Sequence, residues 1–267
     1  MVGRWLQGWR AQREEAAVRR RPIPDDLWKR TLVRYPFLQR RDGADAAELR
    51  RLSSLFLDRK EFSTVGELRL SDAMVVAIAA QAVLPVLRLG LARYDGFVGV
   101  VVHADQVLAR REVADEDGVV HEYEETLSGE AMQGGPVMLS WRDVRTAGQT
   151  AASAYNVVIH EFAHVLDLAH GNADGMPLLP PDLPAAEWRR VLEGDFQSFV
   201  QRVESGEATA LDPYGATAPA EFFAVASEAF FVSPQAMRDE HAELYAMFVR
   251  FYLQHPAADG PSRRRQA

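Results

Sequence analysis

The sequence YNVVIHEFAHVLD, from Tyr155 to Asp167, decides the fold because it contains the pattern H-E-x-x-H. Residues four apart on an α-helix lie on one face, so His160 and His164 can present both imidazoles to a single metal ion. Glu161 lies about 100° around the helix from His160, where it can reach a water on that ion without being a ligand. The remaining residues are mostly apolar, which favours a buried helix over a surface helix with two incidental histidines.

Composition limits which metal ligands and which partners the chain can have. None of its 267 residues is cysteine, which excludes disulfides, thiolate nucleophiles, iron–sulfur clusters and cysteine zinc sites. Any metal must therefore be held by nitrogen and oxygen. The formal net charge of −8 argues against direct binding of nucleic acid, which requires positive charge. Hydrophobic residues form 48% and charged residues 25% of the chain, as is typical of soluble globular proteins.

The N-terminal and the most apolar segments bear on the cellular compartment. Residues 1–21 carry charges every few positions and have no apolar region, so they do not form a secretory signal peptide. The longest apolar run, Ala73 to Leu87, contains Gln81 and Pro85 and is too short for a membrane span. It predicts a buried helix. We therefore expect a cytoplasmic protein without a membrane span.

The pattern of apolar residues predicts an α+β fold, mostly helical with a small mixed sheet in the middle of the chain. Helices are predicted at residues 45–59, 71–84, 153–169, 185–204, 218–232 and 238–254, and strands at 97–103 and 136–141. The charged stretch 107–127 around Asp117-Gly118 predicts a hairpin. We expect residues 1–70 to form a helical segment packed on a core of residues 71–256, with a flexible tail at 257–267.

A catalytic metal ion usually takes three protein ligands, so a third ligand is required. His170 follows His164 by six residues, as in the metzincin pattern H-E-x-x-H-x-x-G-x-x-H, but Asp167 stands where that pattern has glycine. On a continuous helix His170 would point about 120° away from His164. Gly171 comes only after His170, where it is suited to end the helix. These departures disfavour His170 as the ligand.

The favoured third ligand is Glu221, in the stretch YGATAPAEFFAVASEAFF from Tyr214 to Phe231. Thr217 can cap a helix that has Pro219 in its first turn, which places Glu221 early on that helix. An acid on a buried, otherwise apolar helix is costly unless it is paired or bound to a metal. Glu228 lies seven residues later on the same face and is either a second such acid or a solvent-facing one.

Four stretches together resemble a known family. They are Gly135 to Trp141 (GPVMLSW), Tyr155 to Asp167 (YNVVIHEFAHVLD), Asn172 to Pro177 (NADGMP) and Tyr214 to Phe231. They are similar to the Mlc titration factor A family of bacterial cytosolic zinc-dependent peptidases. The resemblance continues in Leu84 to Leu91 and in Phe251 to Pro256, and covers about residues 20–256. The spacing of Tyr214 and Glu221 is also similar to that in the catalytic domain of anthrax lethal factor.

The resemblance implies a zincin-like fold with a gluzincin-type site, in which His160, His164 and Glu221 bind Zn²⁺. It also implies that Glu161 is the general base and that the Tyr214 hydroxyl stabilises the oxyanion. The leading function is then a zinc-dependent peptidase with a peptide substrate, and the family's association with aminopeptidase activity favours release of residues from peptide ends. The alternative is a regulatory protein that binds and sequesters a transcriptional repressor such as Mlc, with or without catalysis.

Several residues around the motif have less specific roles. Asp167 is expected either to hydrogen-bond a ligand imidazole or to satisfy backbone donors in the following loop. We expect Val137 to Ser140 to be an edge strand that pairs with an extended substrate. The other histidines have no ligand spacing and are expected to be structural or surface residues; they are His103, His121, His241 and His255.

Overall fold

Helices surround a small mixed sheet in the computed structural model, which describes residues 2–41, 43–114, 120–127, 129–132, 134–147 and 154–258. The helices are α1 (Val2–Arg20), α2 (Asp25–Arg34), α3 (Gly43–Arg59), α4 (Asp72–Ala82), α5 (Trp141–Thr146), α6 (Val157–Asp167), α7 (Ala185–Glu204), α8 (Pro219–Val232), α9 (Pro234–Glu240) and α10 (Ala242–Tyr252). The strands are β1 (Glu61–Thr64), β2 (Gly99–His103), β3 (Val107–Ala114), β4 (Val120–Leu127), β5 (Gly129–Ala131) and β6 (Val137–Ser140). The fold is α+β, as predicted.

The main sheet has the strand order β1-β2-β6-β5. The first three strands are parallel, and β5 runs antiparallel to β6. The expectation that β6 is an edge strand is wrong, because β6 lies between β2 and β5. Val137 and Leu139 are both buried, as is common on strands that have neighbours on either side.

Strands β3 and β4 pair antiparallel in a separate two-stranded sheet. This pairing confirms the hairpin predicted for residues 107–127. The turn itself, Asp117-Gly118, lies outside the described residues.

Helix α6 is fixed at both ends by the residue types that its sequence provides. The Asn156 side chain accepts a hydrogen bond from the Ile159 backbone N–H and caps the helix. After Asp167 the chain tightens into a 3₁₀ turn and ends at Gly171, which has φ of +103°. On its apolar side, Phe162 packs edge-on against three buried rings, those of Phe56, Tyr94 and Phe97.

Helix α8 packs against α6 and begins at Pro219, one residue after the predicted start at 218. The prediction of a Thr217 cap is wrong, because Ala218 precedes the helix and the Thr217 hydroxyl donates to the Tyr214 carbonyl instead. All four phenylalanines of α8 are buried: Phe222, Phe223, Phe230 and Phe231. The helix is therefore locked in the core, and its few polar groups occupy fixed positions.

The helix predicted at 238–254 is divided into α9 and α10. His241 separates them with φ of −122° and ψ of 56°, which is outside the helical region. Its ring Nδ1 lies 3.0 Å from Asp195 Oδ2 on α7, so the junction is held against that helix. This contact between distant segments leaves no signal in the local sequence.

The helix predicted at 45–59 is confirmed as α3, whereas α1 and α2 were not predicted individually. Helix α1 lies against α3 through charged pairs, with Arg20 Nη2 2.9 Å from Asp58 Oδ2 and Glu14 bonded to Arg51 and Arg59. Such pairs leave no apolar periodicity in α1 for sequence reasoning to detect. Within the described ranges, no helix combines the length and the apolar character needed to cross a bilayer.

Candidate metal centre

Helices α6 and α8 bring three side chains of the motifs to one point. His160 Nε2 lies 3.0 Å from Glu221 Oε2 and 3.2 Å from His164 Nε2. His164 Nε2 lies 3.4 Å from Glu221 Oε2 and closes the triangle. These three residues form a group that could hold a metal ion.

The triangle has the dimensions of a tetrahedral metal site. Donor atoms about 2.0–2.1 Å from a tetrahedral ion such as zinc are about 3.3 Å from one another. The three measured separations lie within 0.3 Å of that value. The three side chains are between 12% and 22% exposed, so the centre is mostly enclosed by protein but still accessible to solvent. The residues present therefore fit a metal ion with two nitrogen donors and one oxygen donor.

His170 lies apart from this group. It ends the 3₁₀ turn after α6 and its side chain is exposed. The metal-binding group found among the described residues contains Glu221 instead. The separation in sequence between Glu221 and the two histidines is spanned by the packing of α8 across α6.

Glu228 resolves an alternative that the sequence left open. It is 3% exposed and so is not solvent-facing. Its Oε1 accepts from His160 Nδ1 at 2.8 Å, and its Oε2 accepts from the Asn156 backbone N–H. A carboxylate on the far nitrogen of a ligand imidazole fixes the ring orientation and leaves Nε2 available to the metal.

The carboxylates set the protonation of the centre. Burial opposes the charged form of His160, but the hydrogen bonds to Glu221 and Glu228 outweigh it and raise the pKa of His160 well above its ordinary value. Burial likewise acts to raise the pKa of Glu221, yet the hydrogen bonds from His160 and His164 lower it well below its ordinary value. The centre thus has a negative potential that attracts a cation.

Glu161 lies beside the triangle and is buried, with 5% of its surface exposed. Its carboxylate packs against the backbone of Gly129 at the start of the edge strand β5. A Cβ atom at position 129 would lie 2.5 Å from Glu161 Oε1. Only glycine permits this approach, and no sequence motif pointed to Gly129.

Tyr214 reaches the same centre from a 3₁₀ turn that precedes α8. Its ring centroid lies 6.1 Å from that of His160, and 47% of the residue is exposed. Asp212 fixes the turn by accepting from the Tyr214 backbone N–H at 2.9 Å. The sequence-predicted metal and catalytic residues therefore all lie together in the structure.

Asp167 serves the backbone rather than a ligand imidazole. Its Oδ2 accepts from the Gly175 backbone N–H at 2.8 Å, and Trp188 Nε1 donates to the Gly175 carbonyl. Burial raises the pKa of Asp167 to about 6. The side chain therefore fixes the loop after α6.

The remaining histidines lie outside the metal-binding group found among the described residues. The Tyr245 hydroxyl lies 3.1 Å from His255 Nδ1, and His241 contacts Asp195. His103 stands at the end of β2. The side chain of His121 is outside the part that the structure describes.

Comparison with known proteins gives consistent matches over nearly the whole chain. A family model described as glucose-regulated metallo-peptidase M90 matches residues 6–253. Mlc titration factor A of Pectobacterium atrosepticum is 34% identical over 230 residues, which cover 85% of each chain. Mlc titration factor A of Cronobacter sakazakii is 34% identical over 251 residues, which cover 93% of this chain and 91% of the relative. The family resemblance inferred from the motifs is confirmed.

Proposed function

The chain belongs to the glucose-regulated metallopeptidase family M90, and from this premise we propose that it is a zinc-dependent peptidase. The observation that carries the proposal is the triangle of His160 Nε2, His164 Nε2 and Glu221 Oε2, with separations of 3.0 to 3.4 Å. Two imidazoles and one carboxylate are the ligands of many catalytic zinc sites, which keep a fourth position for water. The fold is then zincin-like, with α6 as its active-site helix.

Zinc held by His160, His164 and Glu221 would lower the pKa of a water toward neutrality and would polarise a carbonyl group. In this proposal Glu161 is the general base, which accepts a proton from the attacking water as it adds to the peptide carbonyl. The same carboxylate then passes the proton to the leaving amine. The Tyr214 hydroxyl donates to the oxyanion that develops on the carbonyl oxygen.

The edge strand β5 is the place where we expect an extended substrate to pair. Strand β5 ends the sheet order, and Gly129 brings its backbone against Glu161. A peptide that adds to this edge as a further strand passes directly over the general base. This assignment replaces β6, whose two sides are both occupied.

We further propose that the enzyme works in the cytoplasm as an aminopeptidase. The support for exopeptidase action is the family resemblance alone. Digestion of one peptide in free and N-acetylated forms tests it, because an aminopeptidase requires the free amine. Stepwise loss of N-terminal residues from the free peptide alone is the expected pattern, and internal cleavage of both forms would identify an endopeptidase.

Substitution of the general base tests the peptidase proposal. We expect Glu161→Gln to keep stoichiometric zinc and to lose about 10²–10⁴-fold in kcat, the usual worth of a general base. Glu193→Gln, on the exposed face of α7, is a matched control that should leave the zinc content and kcat unchanged. Glu221→Ala should lose zinc. A wild-type protein without stoichiometric zinc, or a Glu161→Gln variant with full turnover, contradicts the proposal.

A second candidate function rests on the names of the relatives. Several of them are called Mlc titration factor A, which points to binding and sequestration of Mlc or of a similar transcriptional repressor. A protein could keep the metal centre and act mainly by such binding. The Glu161→Gln variant separates the two functions, because sequestration is indifferent to this change whereas peptide hydrolysis depends on it. Repressor binding can be measured by titration with a purified Mlc protein.

A further inference from the structure

A buried amide stands in α4, one of the most apolar helices that the structure describes. Gln81 is completely buried in α4, between Ala80 and Ala82. A buried amide is costly unless its hydrogen bonds are satisfied, and an apolar residue would fill this position without that requirement. Its Nε2 donates to the Ala77 carbonyl at 3.0 Å, which is a bond within its own helix. The other end of the amide points to a different helix.

Gln81 Oε1 accepts from Asn156 Nδ2 at 2.8 Å. This bond determines the orientation of the Asn156 amide, whose Oδ1 then faces the Ile159 backbone N–H at 3.0 Å. The Asn156 side chain is fully buried and its oxygen and nitrogen are both used. Gln81 therefore fixes the cap of the helix that holds both ligand histidines.

Asn156 also connects to the metal centre through its backbone. The Asn156 backbone N–H donates to Glu228 Oε2, and Glu228 Oε1 accepts from His160 Nδ1 at 2.8 Å. An ionised carboxylate only accepts hydrogen bonds, so His160 must hold its proton on Nδ1 in this pair. With a proton held on Nδ1, Nε2 is the nitrogen that gives up its proton to bind a metal ion beside Glu221 and His164. Each bond in this series joins groups that are buried or nearly so.

We infer that Gln81 is a positioning residue of the metal centre, acting through Asn156 and Glu228 to hold His160 in the metal-binding tautomer. This inference rests on the proposed zinc site. It assigns a role to the residue that interrupts the apolar run of α4. Gln81 also interacts with Tyr35, which lies buried at the end of α2, so the series reaches the N-terminal helices.

The test measures zinc affinity by competition with a chelator, using Gln81→Met, Glu228→Gln and the double variant. Loss of a group that orients a ligand typically weakens metal binding about 10–100-fold. We expect about tenfold weaker binding for Gln81→Met and up to about 100-fold for Glu228→Gln. If Gln81 acts through Glu228, the double variant binds zinc no more weakly than Glu228→Gln alone.

A second measurement follows the proton itself. In the zinc-loaded wild type, the Nδ1 proton of His160 should give a downfield nuclear magnetic resonance signal that exchanges slowly with water. Gln81→Met should speed its exchange. Ser53→Ala is the matched control, because Ser53 is also a buried helical side chain bonded to the carbonyl four residues earlier, in α3. It should leave zinc affinity and proton exchange as in the wild type.

Asn156→Ser guards against a Gln81→Met variant that fails to fold. Serine can still cap α6 but cannot reach Gln81, so zinc affinity should fall about tenfold, as for Gln81→Met. Wild-type affinity in either variant overturns the inference, as does an effect of Gln81→Met that adds fully to that of Glu228→Gln. A wild type that binds no zinc overturns the proposed function and the inference together. A wild type that binds zinc, with the same affinity in the variants, overturns the inference alone, so the two failures are distinguishable.

Discussion

Replacement of Gly129 by alanine should separate the position of the general base from metal binding. The added Cβ would lie 2.5 Å from Glu161 Oε1, 2.6 Å from Cγ and 2.7 Å from Cδ. Ordinary van der Waals contact begins at about 3.4 Å, so the carboxylate must move by about 1 Å. A displacement of this size in a catalytic geometry can cost about 10²-fold in rate, or about 2.7 kcal/mol of transition-state stabilisation.

The assay compares kcat/KM for peptide hydrolysis, zinc content and urea unfolding in wild type and Gly129→Ala. We expect activity to fall about 100-fold while zinc stays stoichiometric, because the ligand triangle lies on other residues. The stability should change little, since a mobile carboxylate gives way more readily than backbone. Gly96→Ala is the control, because no heavy atom lies within 4 Å of a Cβ at that position.

Two results would refute this reasoning. Full activity in Gly129→Ala means that Glu161 does not depend on the close approach of β5. Loss of zinc together with activity means that the substitution disturbs the centre as a whole. The double variant Gly129→Ala/Glu161→Gln gives a further check, because it should be no less active than Glu161→Gln alone.

Three further predictions concern the hydroxyl, the buried carboxyl and the metal. Tyr214→Phe should lower kcat about 10²-fold with zinc content unchanged, because it removes one donor to the oxyanion; an unaltered kcat would exclude this role. For Asp167, the folded protein holds a proton between pH 3.8 and about 6 that the unfolded chain releases, so stability falls as the pH rises through this window. With zinc chelated, we expect the free energy of unfolding in urea to fall by up to about 3 kcal/mol more in wild type than in Asp167→Asn between pH 4 and 7. Parallel pH profiles of the two proteins would contradict this prediction. Because its pKa is raised, His160 keeps a proton that zinc must displace. Calorimetry near neutral pH should therefore show proton release on zinc binding and a zinc affinity that increases with pH. A zinc affinity that does not depend on pH would contradict this prediction.

The candidate metal-binding group was predictable because its information lies within short segments. The spacing of His160 and His164 requires only helical geometry, and Glu221 stood out as an acid on an apolar helix. The roles of Glu228 and Gln81 were not predictable, because each depends on a hydrogen bond between helices far apart in sequence. Local pattern identifies which residues are chemically unusual, whereas tertiary packing determines which of them meet.

The same distinction applies to the fold. The apolar helix α4 and the buried strand β2 were predicted within a few residues because their patterns are strong. Strand β1 was missed because it is four residues long and alternates between exposed and half-buried positions. Strand β6 was predicted but wrongly placed at an edge, since strand order is a property of the whole sheet and is not encoded in one strand.

The three acids of the candidate centre favour a bound cation. Glu161 and Glu228 are buried and Glu221 is mostly so, and burial of a carboxylate is costly without a compensating charge. In the described part of the chain, the ion pairs of Glu221 and Glu228 run to histidines. The same negative potential raises the pKa of His160, because a proton on the ring offsets part of the carboxylate charge. A divalent ion held by the same atoms supplies twice the charge, so the potential that raises this pKa is also the potential that favours a metal.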